Sequence, residues 1–243
     1  MVFKFEKPLI EAVIVKRISQ FTMLVDLNGE QIRAHCPTTG RIGDIEIKNI
    51  ACLLSKSDDA KRKMPYTVEA VSCDDLSTVN KHWIGINQIL SNRLIEFFFR
   101  HHGLDEIESD FTEIRREVKL GISKLDFKVG NTYIEVKTPL TQLQVEYGSH
   151  IKTKPKTPFS STERFTKHIL ELTESLKSQE RACMLSVYQY AITAPKIRQH
   201  STNYEIVSKV VEQARLAGVA FYDIQMYFTA SGVELYRISQ TQF

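Results

Sequence analysis

The chain has 243 residues, 42% of them hydrophobic and 25% charged, which is enough apolar material for one large or two small globular domains. Its net charge of +3 is only mildly basic, so any affinity for nucleic acid must come from local clusters. Four scattered cysteines exclude a disulfide scaffold and lack the paired spacing of a zinc site. Neither a secretion signal nor an apolar run of membrane-spanning length is present, so the sequence predicts a cytoplasmic protein with no membrane partner.

The first eighty residues alternate in hydrophobicity and predict about five β-strands. Asn28-Gly29 between two alternating runs is a strong signal for a two-residue hairpin turn. Five strands are enough for a small barrel of the OB-fold type, and an SH3-like barrel fits nearly as well. The predicted strands cover residues 9–18, 21–27, 31–36, 45–54 and 67–73.

Two basic segments are candidates for nucleic-acid binding. The first, Lys61, Arg62 and Lys63, falls in the loop between the last two predicted strands, where a solvated turn would fit equally well. The second alternates Lys152, Lys154 and Lys156 with two prolines in HIKTKPKTP, residues 150–158. This segment is too polar to pack, so we expect a mobile loop.

From about residue 87 the pattern changes to a helical period, and the predicted order becomes αβββαβαββ. A capping box at Ser160 and Glu163 predicts the start of the second helix, and Gly218 the end of the third. The αβββαβ portion is the core of the PD-(D/E)XK restriction-endonuclease-like fold. We therefore predict an OB-like domain at 1–83 and a nuclease-like domain at 84–243. The predicted strands of this second domain are 113–120, 123–129, 132–138, 182–190, 219–228 and 233–238.

The stretch SKLDFKVGNTYIEVKT, residues 123–138, predicts a hairpin with an acid on each arm. A two-residue turn at Gly130-Asn131 places Asp126 directly opposite Glu135, where two like charges destabilise each other unless a cation binds. Alternation puts both acids, with Lys124 and Lys137, on one face of the hairpin. The other face should pack into the core through Leu125, Phe127, Ile134 and Val136.

The acidic face has two interpretations. It is either a solvated lattice of salt bridges or a hydrolytic site, since D-x8-E-V-K fits the PD-(D/E)XK nuclease pattern. In the second case Asp126 and Glu135 bind one Mg²⁺ or Mn²⁺, with the Val136 carbonyl as a further ligand. Lys137 then positions the attacking water.

Three further residues are candidates for support around this pair. Lys124 flanks the acids, and Glu117 on the preceding strand is either an additional ligand or a surface acid paired with a neighbouring lysine or arginine. His168 lies off the apolar stripe of the second helix, so it either contacts a phosphate or sits at the rim.

Four strings together resemble the sugar fermentation stimulation protein (SfsA) family over nearly the whole chain. The resemblance implies a bacterial cytoplasmic DNA-binding protein with an N-terminal OB-fold and a C-terminal nuclease-like domain. The chain departs from the usual pattern of the family at Thr38, Lys124 and Phe165, and in the TPFSS segment. The strings are HCPTTGRIG at 35–43, SDDAKRKMPYTVE at 57–69, SKLDF with YIEVK at 123–127 and 133–137, and TERFTKHILEL at 162–172.

Three functions remain open at this point. The protein is a metal-dependent nuclease, or a DNA-binding transcriptional accessory protein that cuts no strand and affects sugar metabolism genes. As a third alternative, its nuclease-like site serves a phosphoester outside nucleic acids.

Overall fold

The structure is a computed structural model that describes residues 1–155, 157–159, 162–178, 180–195 and 200–241. Within these ranges the chain forms a six-stranded sheet that closes into a barrel, and a seven-stranded mixed sheet covered by helices. None of the described helices is long and apolar enough to cross a membrane.

The barrel has the order β4-β3-β2-β5-β6-β7, and β4 closes it by pairing in parallel with β6. This closed arrangement of five main strands confirms the predicted OB-fold. The strand predicted at 45–54 begins too early, because Ile45 instead bridges Thr153 and the regular strand runs from Ala51 to Lys56. The barrel strands are β2 Ile10–Ser19, β3 Thr22–Leu27, β4 Glu30–His35, β5 Ala51–Lys56, β6 Tyr66–Val71 and β7 Ile84–Gly85.

The second sheet has the order β1-β13-β12-β11-β10-β9-β8, with β10, β11 and β12 parallel to one another. Helix α1 packs on one face of this sheet, and α2 and α3 pack on the other. The predicted αβββαβαββ order is confirmed. Its elements are β1 Val2–Lys4, α1 Gln88–Arg100, β8 Ile114–Leu120, β9 Ser123–Val129, β10 Thr132–Lys137, α2 Glu163–Ser175, a 3₁₀ turn Leu176–Ser178, β11 Arg181–Tyr188, α3 Tyr204–Ala217, β12 Ala220–Phe228 and β13 Gly232–Gln240.

The helix ends follow local sequence signals in two of three cases. Asn87 caps α1 with its side chain, and Gly218 ends α3 in the left-handed conformation, φ +110°. Helix α2 differs from the prediction, since it begins directly after Thr162 with no side-chain cap and so makes Glu163 its first residue. The other half of the predicted capping box, Ser160, lies outside the described residues.

The predicted domains 1–83 and 84–243 contribute strands to each other's sheets and share core residues. Strand β1 joins the second sheet by pairing with β13, and β7 continues the barrel sheet beyond residue 83. The boundary between 1–83 and 84–243 stays a prediction. The expectation that 150–158 is too polar to pack is wrong for its first half, because Ile151 is buried in the barrel core and Lys154 N donates to Asp44 O.

Candidate active site

The candidate site lies where β9 and β10 separate. The predicted pairs Val129–Thr132 and Phe127–Ile134 are confirmed, and the ladder stops there. Past that point the Asp126 carboxylate takes the place of a main-chain acceptor, since its Oδ2 accepts the Val136 N–H at 2.8 Å. The regular main-chain pairing of the two strands therefore ends beside Asp126 and Glu135.

Strand β9 switches faces at Asp126. The prediction that Leu125 and Phe127 share one apolar face is wrong, because Leu125 packs with α2 and α3 while Phe127 packs with α1. The neighbouring strand is irregular at the same point: Glu117, which lies opposite Asp126 in the β8–β9 register, is left out of the ladder and has a positive φ of 51°. A local irregularity of this kind bends and twists a strand and redirects the side chains beside it.

Asp126 is held by neutral hydrogen-bond donors. Its Oδ1 accepts from Asn92 Nδ2 on α1 at 2.8 Å, in addition to the bond from Val136 to Oδ2. Burial and the nearby charge of Glu135 raise the pKa of the Asp126 carboxyl, against smaller lowering effects of these two bonds and of Lys137. The site therefore favours any added positive charge near Asp126.

Only one of the two carboxylate oxygens of Glu135 has hydrogen-bond partners among the described residues. It is 2% exposed, and its Oε1 receives both Lys137 Nζ and His168 Nδ1, the latter at 2.5 Å. Its Oε2 is buried and has no hydrogen-bond partner among the described residues. A buried carboxylate oxygen without a partner is costly, and a bound cation would remove that cost.

The structure thus brings four predicted residues together: Asp126, Glu135, Lys137 and His168. The prediction that His168 lies off the buried stripe of α2 is wrong, since the side chain is only 4% exposed. Its spacing of three residues from Phe165 and four from Leu172 would have placed it on that stripe.

The other predicted residues lie away from this cluster. Glu117 and Lys124 form a surface ion pair at 2.8 Å, with both side chains more than 60% exposed, and Lys124 lowers the pKa of Glu117. The exposed cluster Lys61–Lys63 occupies the β5–β6 loop. Lys152 and Lys154 are exposed on the segment that pairs with residues 44–46, and Lys156 lies outside the described residues.

Sequence reasoning missed the contribution of α1. Asn92 reaches Asp126, and Ser91 Oγ lies 3.0 Å from Thr138 Oγ1, immediately after Lys137. No sequence signal links a polar residue on α1 to an acid 34 positions later; only the packing of α1 across the sheet does so.

The donor set suits a hard divalent cation. The described residues contain no group of three or more histidine, cysteine, aspartate or glutamate side chains arranged to hold a metal ion. Two carboxylates fit Mg²⁺ or Mn²⁺ coordination, because Mg²⁺ commonly takes one or two carboxylates and keeps several waters. The Oε2 of Glu135, which has no hydrogen-bond partner among the described residues, would be free to coordinate such an ion.

The fold and site together define a protein with an OB barrel joined to an endonuclease-like αβββαβ sheet. Residues 15–86 match the family described as the SfsA N-terminal OB domain, and residues 89–232 match the sugar fermentation stimulation protein RE domain. The chain belongs to the sugar fermentation stimulation protein (SfsA) family, which confirms the predicted resemblance.

Curated relatives and one solved structure agree with this assignment. A sugar fermentation stimulation protein homolog of Pseudoalteromonas atlantica is 32% identical over 206 residues, covering 81% of this chain and 82% of that protein. The homolog of Shewanella frigidimarina is 31% identical over 236 residues and covers 93% of each chain. The solved structure of Pyrococcus furiosus SfsA in complex with Ca²⁺ matches with a TM-score of 0.76 and 19% identity, covers 100% of both chains and shows the same fold.

Proposed function

We propose that the protein binds DNA and hydrolyses phosphodiester bonds at a divalent-metal site formed by Asp126 and Glu135. The observation that carries this proposal is the unpartnered, buried Oε2 of Glu135 beside an aspartate whose pKa is raised. A site built in this way gains stability when a cation binds, which a salt-bridge lattice would not need.

The residues of the site have different roles in this proposal. Asp126, Glu135 and the Val136 carbonyl would hold Mg²⁺ or Mn²⁺, which when bound stabilises charge on the phosphoryl oxygens and activates water. Lys137 is 28% exposed along its side chain, so its ammonium group can contact Glu135 and also a water or phosphate at the rim. His168 holds Oε1 of Glu135 and so fixes the orientation of that carboxylate. The P. furiosus relative was solved in complex with Ca²⁺, which supports a divalent ion in this chain too.

A basic and aromatic surface of the barrel supports nucleic-acid binding. Arg62 donates to Thr67 Oγ1, and Thr67 pairs with His35 at the end of β4. Phe21 lies on the other side of β4 in the β2–β3 turn, where its carbonyl accepts the N–H of Cys36 and its side chain is 50% exposed. Arg62 and the exposed ring of Phe21 therefore both lie near His35 at one end of the barrel, where they could bind a phosphate and a base, as is typical of OB-fold binding to nucleic acids.

The test is a paired measurement of cleavage and affinity on one DNA duplex. Lys137→Met should abolish cleavage in Mg²⁺ or Mn²⁺ and leave the dissociation constant for DNA within about twofold, because the lysine acts in the transition state. Lys124→Met is the matched control, since it removes a lysine from the same hairpin outside the site. Cleavage that persists in purified Lys137→Met would overturn the mechanism.

A second candidate function has its own supporting observation. Glu135 already contacts two basic side chains, Lys137 and His168, so the acidic face is partly neutralised without metal. A DNA-binding protein that cuts no strand would have this face as a structural salt-bridge cluster. In that case wild type shows salt-dependent DNA retention but no divalent-dependent cleavage, and Lys137→Met changes nothing.

A further inference from the structure

A buried carboxylate of the barrel is connected to the candidate site by a series of residue contacts. Glu69, on β6, is 8% exposed and has no ion-pair partner within the described residues. Its Oε1 accepts from Ser55 Oγ at 2.6 Å, and its Oε2 accepts from Asn87 Nδ2 at 2.7 Å. Glu69 is the last residue of the KRKMPYTVE string, and the proposed function gives this residue no role.

Asn87 connects Glu69 to the first turn of α1. Its Oδ1 accepts the N–H groups of Ile89 and Leu90 at 3.1 and 3.3 Å, so it caps the helix. Its main-chain carbonyl accepts from Gln189 Nε2 at 2.7 Å, and the same amide nitrogen donates to Ser91 Oγ at 2.9 Å. The start of α1 is therefore fixed on its barrel side and its sheet side.

The next residues of α1 contact both strands of the site. Ser91 is bonded to Thr138, one residue after Lys137, and Asn92 donates to Asp126. Any shift of the first turn of α1 is thus passed to the Asp126 carboxylate. Catalytic and metal-binding groups tolerate displacements of only about 0.5 Å, so such a shift matters for function.

We propose that Glu69 is a positioning residue for the candidate site, and that it acts on Asp126 through Asn87 and Asn92. The barrel is then a structural part of the site as well as a nucleic-acid-binding surface. The functional consequence rests on the proposed function, whereas the positioning itself does not. Removing the carboxylate leaves the half-buried Asn87 amide without this acceptor and frees the capping side chain to turn.

The readout is the amide hydrogen exchange of Val136, whose N–H is bonded to Asp126 Oδ2. Glu69→Met and Asn92→Ala should each accelerate this exchange by about tenfold while the Leu185 amide, in the centre of the sheet, stays as in wild type. Unchanged Leu185 exchange shows that the effect is local. Asn87→Ser keeps a capping oxygen but loses the donor to Glu69, so it should act in the same direction with less risk to folding.

Two controls separate positioning from general stability. Ser55→Ala removes the other hydrogen bond of Glu69 and should leave Val136 exchange unchanged. Glu69→Gln keeps an acceptor for Asn87 and should restore most of the protection that Glu69→Met loses. The double variant Glu69→Met/Asn92→Ala should exchange no faster than Asn92→Ala alone, because both changes break one path.

Any of three results would overturn the proposal. They are Val136 exchange at the wild-type rate in Glu69→Met, an equal acceleration of that exchange by Ser55→Ala, and additive accelerations in the double variant. Mn²⁺ binding to the same proteins gives the separate functional test, with an expected loss of about tenfold in affinity for Glu69→Met. If wild type binds no Mn²⁺ while Val136 exchange responds as described, the proposed function fails and the positioning role stands.

Discussion

The two acids of the site depend on their surroundings in opposite ways. Asp126 accepts hydrogen bonds from neutral N–H donors, and burial together with the nearby charge of Glu135 raises its pKa. Glu135 contacts Lys137 and His168 but keeps one oxygen without a partner among the described residues. A divalent ion between them would supply Asp126 with its missing counter-charge and Glu135 with its missing contact.

The raised pKa of Asp126 predicts a loss of stability with rising pH in the absence of metal. The folded protein holds this proton more tightly than the unfolded chain, so the contribution is complete below the ordinary aspartate pKa of about 3.9 and is lost as the pH rises through the raised value. Urea unfolding in EDTA across this range should show the loss in wild type and not in Asp126→Asn. Saturating Mn²⁺ should offset it in wild type only.

The matched control for that experiment is Glu117→Gln, which removes an exposed acid from the adjacent strand. Its metal-dependent stabilisation should equal that of wild type. Equal Mn²⁺ shifts in wild type and Asp126→Asn would mean that the ion binds elsewhere.

Residue types and spacing were enough to predict that Asp126, Glu135 and Lys137 lie close together, because a short hairpin brings its own residues together. They were not enough for Asn92, which reaches the site only through the packing of a distant helix. His168 falls between these cases. The helical period of α2 is enough to predict that its side chain is buried, but not that it contacts Glu135.

At the scale of elements, the β9–β10 hairpin depends on its turn. Of the two turn residues only Gly130 takes a positive φ, +51°, which fits a two-residue turn with glycine first. A Cβ at this position would lie 2.3 Å from the main-chain oxygen of Asp110. The sequence predicted the turn from Gly130-Asn131, but not the chain segment packed against it.

Gly130→Ala should therefore destabilise the protein by about 1–3 kcal/mol, through the backbone strain and this clash. Gly40→Ala is the control, because no heavy atom lies within 4 Å of the position that its new methyl group would take. It should change the free energy of unfolding by less than about 0.5 kcal/mol. Urea unfolding that gives equal values for both variants would contradict the role of the turn.

The β5–β6 loop is the element that should dominate the salt dependence of DNA binding. Lys61, Arg62 and Lys63 are exposed there, and neutralising phosphates gives a slope of about −0.9 per contact in log affinity against log salt. Changing all three to alanine should make the slope shallower by about one to three contacts. The double variant Lys152→Ala/Lys154→Ala tests the second basic segment in the same titration, and an unchanged slope would remove that segment from the binding surface.

At the scale of the whole molecule, the barrel and the second sheet complete each other's cores. The hydrophobic pattern of the sequence changes from strand-like to helical near residue 84 and so divides the barrel from the second sheet. This pattern does not show in which of the two hydrophobic cores a side chain is buried. Leu140, Leu143, Val145 and Ile151 pack into the barrel core although they follow β10 in the chain. In the reverse direction the core beneath α1 contains Leu9, Leu53 and Ala70.

This sharing predicts that the whole protein unfolds in one cooperative transition and that neither 1–83 nor 84–243 is stable alone. Burying each large apolar side chain contributes about 1.5–3 kcal/mol, and the barrel fragment loses the four named above. That loss is comparable with the entire stability of a typical domain, about 5–15 kcal/mol. The other fragment also loses β1, which pairs with β13 at the edge of its sheet.

Scanning calorimetry should give a single peak for the whole chain and no cooperative peak for either fragment, and mixing the two fragments should restore one. The physical reason is that each fragment exposes an apolar surface that only the other can cover. A fragment 1–83 that unfolds cooperatively near the melting temperature of the whole protein would contradict the shared core. It would also weaken the path from Glu69 to Asp126, because a barrel that folds independently need not fix the start of α1.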